Sequence, residues 1–325
     1  MMGCRIVALL AATLLLGGCE GMQSALDAKG SGAIEIKQLI VGIVAVCTIV
    51  WALVMAVLIR ALMRPRGNAG ASAQAERKMT AVVTGAVAAT VIIIAGLTIA
   101  SFYTTRSISV AADGDLIIKI TGHQWWWRVL YVDPDPAKSF ETANEIHIPA
   151  GKNIRLQLES ADVIHSFWVP SLAGKQDLIP GRLNELTIRA ERPGVYRGQC
   201  AKFCGIQHSH MAMLVIAEDN ADYEKWAAGQ RSTSAPSSDQ EASAGKAVFL
   251  SKPCAACHTI RGANSSAGTG PDLTHVGERK TIAAGLVDNT RGSLAAWIAD
   301  PQTMKPGSNM PMVPLSSDEL RQISA

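Results

Sequence analysis

The chain has 325 residues, of which 48% are apolar, and its mean hydropathy is positive. This apolar share is high for a purely soluble protein, so membrane segments are expected, and the length allows two globular domains besides. The formal net charge of +3 is small and says little about partners.

The first segment, 1–18, resembles a signal peptide, with a positive start at Arg5 and a short apolar run after it. The run ends in "LGGC", which resembles the lipobox of bacterial lipoproteins, in which the cysteine becomes the lipidated first residue. We therefore expect Cys19 to carry lipid. The alternative is an uncleaved apolar leader with an idle thiol.

Two membrane helices are predicted within 19–106. Residues 39–59 contain no charge across 21 positions, and residues 79–105 contain none across 27. Each run can cross a hydrocarbon core of about 30 Å as a helix. The loop between them carries five basic residues and one acid, so the positive-inside rule predicts a cytoplasmic loop. Everything after about Arg106 is then expected on the outer face.

From Asp115 the pattern changes to short alternating runs. In "NIRLQLES" every second residue is apolar, which is the period of a half-buried strand. Several such runs, separated by turn residues, predict a small antiparallel sandwich or barrel, and we assign it to 107–228.

A polar segment rich in serine, alanine and glutamine follows, and we interpret 229–240 as a flexible linker. The remainder, 241–325, has helical patterns and predicts a small all-α domain. A last helix is expected to begin at Ser316, Ser317 and Asp318. It has room for about nine residues, so either that helix is short or the sequence is incomplete at this end.

The helical domain contains "CAACH", the C-x-x-C-H attachment pattern of c-type haem. Cys254 and Cys257 would bond to the porphyrin, and His258 would bind the iron. Met304, Met310 and Met312 are candidates for the second axial ligand, and Met310 resembles the methionine of small cytochromes c. The turn "GPDL" also resembles those proteins, in which one of its carbonyls steadies the histidine. A thioredoxin-like redox pair or half of a zinc site are the alternatives.

A second metal motif lies in "GQCAKFCGIQHSHM", 198–211. Thiolates with imidazole select copper or zinc, and a thioether favours copper. A mononuclear blue-copper site uses one cysteine and two histidines, whereas this loop has two cysteines. With His165 of "DVIHSFWVP" as a further imidazole, the set predicts a two-copper electron relay.

At this point the sequence resembles subunit II of cytochrome c oxidase, over nearly the whole chain after residue 30. The segment 161–216 is similar to its CuA domain, the two predicted membrane helices match its topology, and the haem domain is similar to that of the caa3-type branch. The resemblance implies a multidomain membrane protein with a two-helix hairpin, an all-β cupredoxin-like domain and an all-α cytochrome c domain.

The resemblance also implies roles for single residues. Its CuA ligand set consists of His165 and His208 as terminal ligands, Cys200 and Cys204 as bridges, and Met211 and the backbone carbonyl of Lys202 as weak ligands. His210 competes with His208, and spacing favours His208. Family members commonly have glutamate where Lys202 stands, and that side chain helps to bind magnesium at the subunit I interface. Lysine cannot bind a cation, so a magnesium ion is in doubt.

Three consecutive tryptophans, 125–127, cannot all lie in the core, because neighbouring side chains of a strand point to opposite faces. By resemblance, Trp125 aligns with the residue through which electrons enter CuA. His123, His147 and His275 have no matching ligand partners and are expected in surface or core roles.

The predicted function is electron transfer from an external reduced donor to haem c, then to CuA, and then to subunit I, which reduces oxygen and moves protons. The resemblance implies a bacterial inner membrane protein with both cofactor domains on the periplasmic side, other oxidase subunits as partners, and cytochrome c or another respiratory complex as donor. Three alternatives are a carrier similar to nitrous-oxide reductase, a quinol oxidase subunit and a zinc-binding structural module. The first would not need two membrane helices, and the second would lack the copper ligands.

Overall fold

The computed structural model describes residues 20–64, 73–109, 116–234 and 238–325. Two compact units form, one with Ile34–Val110 and one with Met1–Ala33 and Ala111–Ala325. The predicted signal peptide and the lipidation site Cys19 lie outside the described residues.

The first unit contains two helices, α1 (Ser31–Met63) and α2 (Ala73–Ser109). Both are long and apolar enough to span a membrane, and the apolar windows are exposed along their length. Each extends beyond the predicted runs 39–59 and 79–105, because those runs mark only the charge-free stretch and helix formation continues through polar flanks. Ser107 donates a hydrogen bond to Glu35 between the two helices.

The β domain consists of two five-stranded sheets. The first has the order β3-β2-β1-β5-β8 and the second β4-β10-β9-β6-β7. The strands are β1 (Leu116–His123), β2 (Trp126–Val132), β3 (Phe140–Ala143), β4 (Glu145–Pro149), β5 (Ile154–Ser160), β6 (His165–Trp168), β7 (Gln176–Leu178), β8 (Asn184–Ile188), β9 (Gly194–Cys200) and β10 (Ala212–Glu218).

The pattern of alternating apolar residues is confirmed in strand β5, where Ile154, Leu156 and Leu158 are fully buried. The expectation of a purely antiparallel domain was wrong, since β1 pairs with β5 and β4 with β10 in parallel. Local alternation determines which face of a strand is buried, whereas long connections decide which strands become neighbours and in which direction. Residues from both sheets form one core.

The tryptophan run divides as the strand period requires. Trp127 is fully buried and packs edge-on against Phe167, while Trp126 is partly exposed and stacks on His123. Trp125 precedes strand β2 and is 8% exposed.

Helix α3 (Asn220–Arg231) follows the β domain, and helix α4 (Gln240–Ser251) begins the next one. The predicted linker, 229–240, is therefore helical at both ends, because its small and polar residues are compatible with a helix terminus.

The last domain contains α4, α5 (Arg291–Ala299), α6 (Pro301–Met304) and α7 (Ser317–Ile323). Two short strand pairs accompany them, β11 (Thr259–Ile260) with β12 (Ser265–Ser266) and β13 (Thr281–Ile282) with β14 (Val287–Asp288). The predicted start of α7 is confirmed, because Ser316 and Glu319 form a capping box. Helix α7 packs closely on α4 at Gly245, where an added Cβ would overlap the carbonyl oxygen of Gln322.

Candidate metal and haem centres

The two halves of the predicted copper site come from neighbouring strands. Cys200 ends β9, and His165 begins β6, which pairs with β9 through Phe167 and Cys200. The loop from Cys200 to Met211 then turns back before β10 and contains the short 3₁₀ turn His208–His210. Strand pairing therefore brings together residues that are far apart in the sequence.

The structure brings all six predicted copper ligands into one cluster. The Sγ atom of Cys200 lies 3.9 Å from Nδ1 of His165 and 3.1 Å from the carbonyl oxygen of Lys202. The Sγ atom of Cys204 lies 3.6 Å from Nδ1 of His208 and 3.8 Å from Sδ of Met211. Each sulfur thus faces one imidazole and one weaker donor.

The cluster is almost closed to solvent. His165 and Met211 are fully buried, and Cys200 and Cys204 are 2% and 3% exposed. The donor set of two thiols, two imidazoles and a thioether fits a soft metal such as copper. His208 is partly exposed, so the sulfurs are shielded from solvent while one imidazole lies at the edge of the cluster.

Because the thiols of Cys200 and Cys204 lie close together, their pKa values shift in opposite directions. A hydrogen bond from Cys204 is the largest cause that lowers the pKa of Cys200, and the same pairing raises the pKa of Cys204. Burial lowers the pKa of His165, but hydrogen bonds with Cys200 and Asp162 outweigh burial and raise it overall. The hydrogen-bonded thiols and the His165 imidazole therefore carry protons that a bound metal would displace.

His210 is turned away from the sulfurs. Its Nδ1 lies 2.8 Å from Oε1 of Gln207, and the residue is exposed. His208, by contrast, directs Nδ1 at Cys204. This geometry supports the choice of His208 over His210 as a ligand.

A two-copper cluster of this kind is expected to absorb in the near infrared. We expect His208→Ala to remove this absorption band and His210→Ala to leave it in place. His208→Ala deletes a donor on the cluster, whereas His210→Ala deletes a contact with Gln207. Absorption spectra and copper content of the two purified variants test this. Loss of the band in His210→Ala alone would reverse the assignment.

Asp162 is a residue that sequence reasoning missed. Its Oδ1 lies 2.8 Å from Nε2 of His165, and its Oδ2 accepts a hydrogen bond of 2.7 Å from the backbone N–H of Gln124. A carboxylate on the far nitrogen orients a ligating imidazole and increases its basicity. The signal was present in the sequence, three positions before His165.

We expect Asp162→Asn to weaken copper affinity by about 10- to 100-fold, the usual cost of losing such a partner. The amide cannot carry the negative charge that stabilises the His165 ring. Competition with a copper chelator measures the effect. Asp222→Asn, at an exposed residue of helix α3, is the control. Equal affinities in both variants would contradict the role.

A second cluster surrounds a cavity of about 880 Å³, which the helical domain lines together with residues of the β domain, among them Trp125. The four residues predicted to hold haem, Cys254, Cys257, His258 and Met310, all line it. Its wall also includes apolar side chains, among them Phe249, Leu294, Trp297, Ile298 and Val313. Volume, apolar lining and the two thiols beside a histidine fit a covalently bound haem.

Only one of the three candidate methionines reaches this cavity in the described chain. Met310 lines it, while Met304 and Met312 do not, and Met312 is 58% exposed. The structure therefore supports Met310 as the second axial ligand.

The carbonyl contact predicted for the "GPDL" turn is confirmed. Nδ1 of His258 donates to the carbonyl oxygen of Pro271 at 2.8 Å, which leaves Nε2 free for a metal. Burial is the main cause that lowers the pKa of His258, which favours the neutral ring that can bind a metal. Gly270 permits the close approach, because a Cβ there would lie 2.7 Å from Cε1 of His258.

Trp125 connects the two centres. Its indole Nε1 donates to the carbonyl oxygen of Cys204 at 3.0 Å, and the same residue lines the haem cavity. Nε2 of Gln124 donates to the same carbonyl at 2.7 Å. The ring lies over Gly205, which has a φ of +117°, and a Cβ at that glycine would lie 2.9 Å from the indole.

Comparison with known proteins identifies both domains. Residues 116–218 match the family model of the cytochrome c oxidase subunit II periplasmic domain, and residues 242–325 match that of cytochrome c. The chain is 34% identical over 326 residues to cytochrome c oxidase subunit 2 of Alkalihalophilus pseudofirmus, with 97% of this chain and 93% of that protein covered. The chain belongs to the cytochrome c oxidase subunit 2 family.

Other relatives of this subunit 2 family member align over shorter lengths. Cytochrome c oxidase subunit 2 of Bacillus subtilis is 27% identical over 208 residues, which cover 61% of this chain and 57% of that protein. A crystal structure of the periplasmic domain of subunit II of cytochrome oxidase from Bradyrhizobium japonicum is 34% identical, with a TM-score of 0.36. It covers 38% of this chain and 97% of that one.

As a member of the subunit 2 family, the chain is part of a haem-copper oxidase and has an electron-transfer role in it. The fold expected from the resemblance is confirmed, with two apolar helices, a cupredoxin-like β domain and a helical cytochrome c domain. The family implies CuA, the cytochrome c domain implies haem, and association with subunit I and other oxidase subunits follows from the family. The helices are consistent with membrane anchoring of a periplasmic domain.

Proposed function

We propose that this subunit accepts electrons from reduced cytochrome c or an equivalent donor at its cytochrome c domain and delivers them to subunit I by way of haem c and CuA. Subunit I would then reduce oxygen to water and translocate protons. The contact of Trp125 with both the haem cavity and the carbonyl of Cys204 is the observation that best supports electron transfer between the two centres. It provides a continuous protein path between the two centres.

When bound, the two copper ions supply a one-electron couple that is shared between them. We propose that Cys200 and Cys204 would hold the ions through their thiolates and His165 and His208 through their imidazoles, with Met211 and the carbonyl of Lys202 as weaker ligands. Because the cluster is buried and its donors are already directed at one another, little reorganisation accompanies a change of charge.

In the cytochrome c domain, Cys254 and Cys257 would hold the porphyrin covalently, and His258 and Met310 would be the ligands of its iron. Ligation by an imidazole and a thioether would raise the reduction potential of the haem. The carbonyl of Pro271 keeps the His258 ring in one orientation. These residues suit electron transfer and not oxygen chemistry.

Position 202 offers no side-chain ligand for magnesium, so the ion stays in doubt. The side chain at position 202 is a lysine, and the residue is exposed, so only its backbone carbonyl is directed at the copper cluster. A bound divalent cation would be repelled by the ammonium group.

We also propose that α1 and α2 cross the bacterial inner membrane, with their connecting loop in the cytoplasm. Both cofactor domains would then lie on the periplasmic side, and Cys19 would be the lipidated residue after cleavage of 1–18. The basic residues of the loop support this orientation.

The function is tested on the oxidase complex purified from membranes. We expect two copper ions and one covalent haem c per copy of this subunit, a CuA near-infrared band, and cyanide-sensitive oxygen uptake with reduced cytochrome c. Metal analysis that found zinc in place of copper, or a complex that consumed no oxygen, would contradict the proposal.

A further inference from the structure

Lys305 is a buried lysine at the contact between the cytochrome c domain and the β domain, which contains the copper cluster and is called the copper domain below. Lys305 is 3% exposed. Its Nζ donates to the carbonyl oxygens of Trp125 at 2.7 Å, His210 at 2.8 Å and Ala283 at 3.0 Å. The three donors of the ammonium group are therefore all used, two of them on the copper domain and one within its own domain.

The buried surroundings of Lys305 disfavour the charged form of its side chain. Burial lowers the pKa of Lys305 to about 7, and the nearby Cys204 opposes that shift. No carboxylate in the described part of the chain pairs with the ammonium group. A methionine would fill the same space without burying a charge, so what lysine adds is a set of directional hydrogen bonds that fix one arrangement.

The next two residues extend the contact, and we name 305–307 the docking turn. The carbonyl oxygen of Pro306 accepts a hydrogen bond of 2.9 Å from Nε2 of the buried Gln207. Gly307 has a φ of +82°, and a Cβ there would lie 2.7 Å from Ile206 and 3.7 Å from the Trp125 ring. We call the loop 200–211 the copper loop. The docking turn therefore lies against the copper loop and against Trp125.

The docking turn is also linked to the haem side. Met310 follows it in the chain, and Nε2 of Gln302 donates to the carbonyl oxygens of Met310 at 2.7 Å and Ser308 at 2.8 Å. The same short segment thus contacts the copper loop and leads into the methionine that lines the haem cavity.

Trp125 is held from both sides by this arrangement. Its indole donates to the Cys204 carbonyl, while its own carbonyl accepts from Lys305. Other contacts join the domains nearby, including the backbone N–H of Ala212 to the carbonyl of Ala284 at 3.0 Å and that of Thr281 to Oε1 of Glu145 at 2.8 Å. Of the hydrogen bonds named here between the two domains, those of Lys305 reach both Trp125 and the copper loop.

We propose that Lys305 is a positioning residue that holds the cytochrome c domain against Trp125 and the copper loop, and that it thereby sets the rate of electron transfer from haem c to CuA within the chain. This inference rests on the proposed function. Electron transfer between two fixed centres slows as the distance between them grows, so the loss of the three hydrogen bonds of Lys305 should be measurable in the transfer rate.

The test uses the intact oxidase complex with Lys305→Met. Haem c is reduced by a short light pulse through a ruthenium photoreductant, and the later appearance of reduced CuA is followed in the near infrared. We expect this internal step to slow several-fold relative to the unaltered complex. The copper and haem contents, the CuA band and the rate of haem c photoreduction should stay as in the unaltered complex. Lys225→Met, at an exposed lysine of α3, is the matched control.

Gly307→Ala is a second variant, which leaves Lys305 in place and moves the docking turn away from Ile206. We expect it to slow the same internal step, and it decides the question if Lys305→Met does not assemble. An unchanged internal rate in either assembled variant would overturn the inference. Loss of the CuA band in Lys305→Met would also overturn it, because the lysine would then support the copper loop itself. If the unaltered complex shows no internal transfer, it is the proposed function that fails.

Discussion

The Cys204→Ser variant of the complex is expected to lack the CuA near-infrared band and to consume oxygen more than about 100-fold more slowly, since even the loss of a residue that only orients a ligand costs 10- to 100-fold. The sulfur of Cys204 faces both His208 and Met211. A serine hydroxyl is a harder donor that stays protonated, so it cannot bridge two soft ions. Absorption, copper content and oxygen uptake with reduced cytochrome c measure the outcome.

Cys47→Ser is the matched control, because it makes the same change in an exposed thiol of helix α1. It should retain the copper band and the activity. Reduction of haem c by the donor should also persist in Cys204→Ser, since the haem cavity is built from other residues. Two coppers per subunit and normal oxygen uptake in Cys204→Ser would refute the bridging role.

The double variant Cys254→Ala/Cys257→Ala is expected to lose all covalent haem. Both thioether positions disappear, and His258 alone does not bond the porphyrin to the chain. Oxygen uptake with reduced cytochrome c should fall by an amount comparable to that in Cys204→Ser, because electrons would no longer enter through the cytochrome c domain. A haem stain after denaturing electrophoresis and a spectrum of the complex provide the measurements.

The copper band offers the internal control for this double variant. The copper ligands come from the β domain, so the near-infrared band should remain while the haem c bands vanish. Haem stain retained by the altered subunit would contradict the assignment of the "CAACH" motif. Full oxygen uptake without haem c would show that the donor reaches CuA by another route.

Local patterns were enough to predict much of the fold. Alternation in "NIRLQLES" predicted the buried face of β5, and the Ser316 signal predicted the start of α7, because both depend on neighbours within a few residues. The copper ligands could be grouped from their chemistry, since soft donors at short spacing are rare outside metal sites. His165 needed a second source of information, because it lies on a different strand from the cysteines.

The contacts that depend on tertiary structure could not be predicted. Lys305 donates to Trp125, which lies 180 positions earlier, and no local pattern distinguishes this lysine from a surface one. Parallel pairing of β1 with β5 had no local signal either, since alternation is the same in parallel and antiparallel strands. Helix length was underestimated for a related reason, because hydropathy reports the apolar stretch and not the point at which helical hydrogen bonding stops.

The short connection between Arg231 and Gln240 has a consequence for how the oxidase is supplied with electrons. A tether of this length keeps the haem domain beside the copper domain at an effective concentration on the order of millimolar, whatever the abundance of soluble carriers. Docking therefore does not have to be tight to be occupied, and a weakened contact alters geometry before it causes release. Turnover would then respond to how often a donor meets the tethered domain, and the encounter with copper would no longer depend on diffusion.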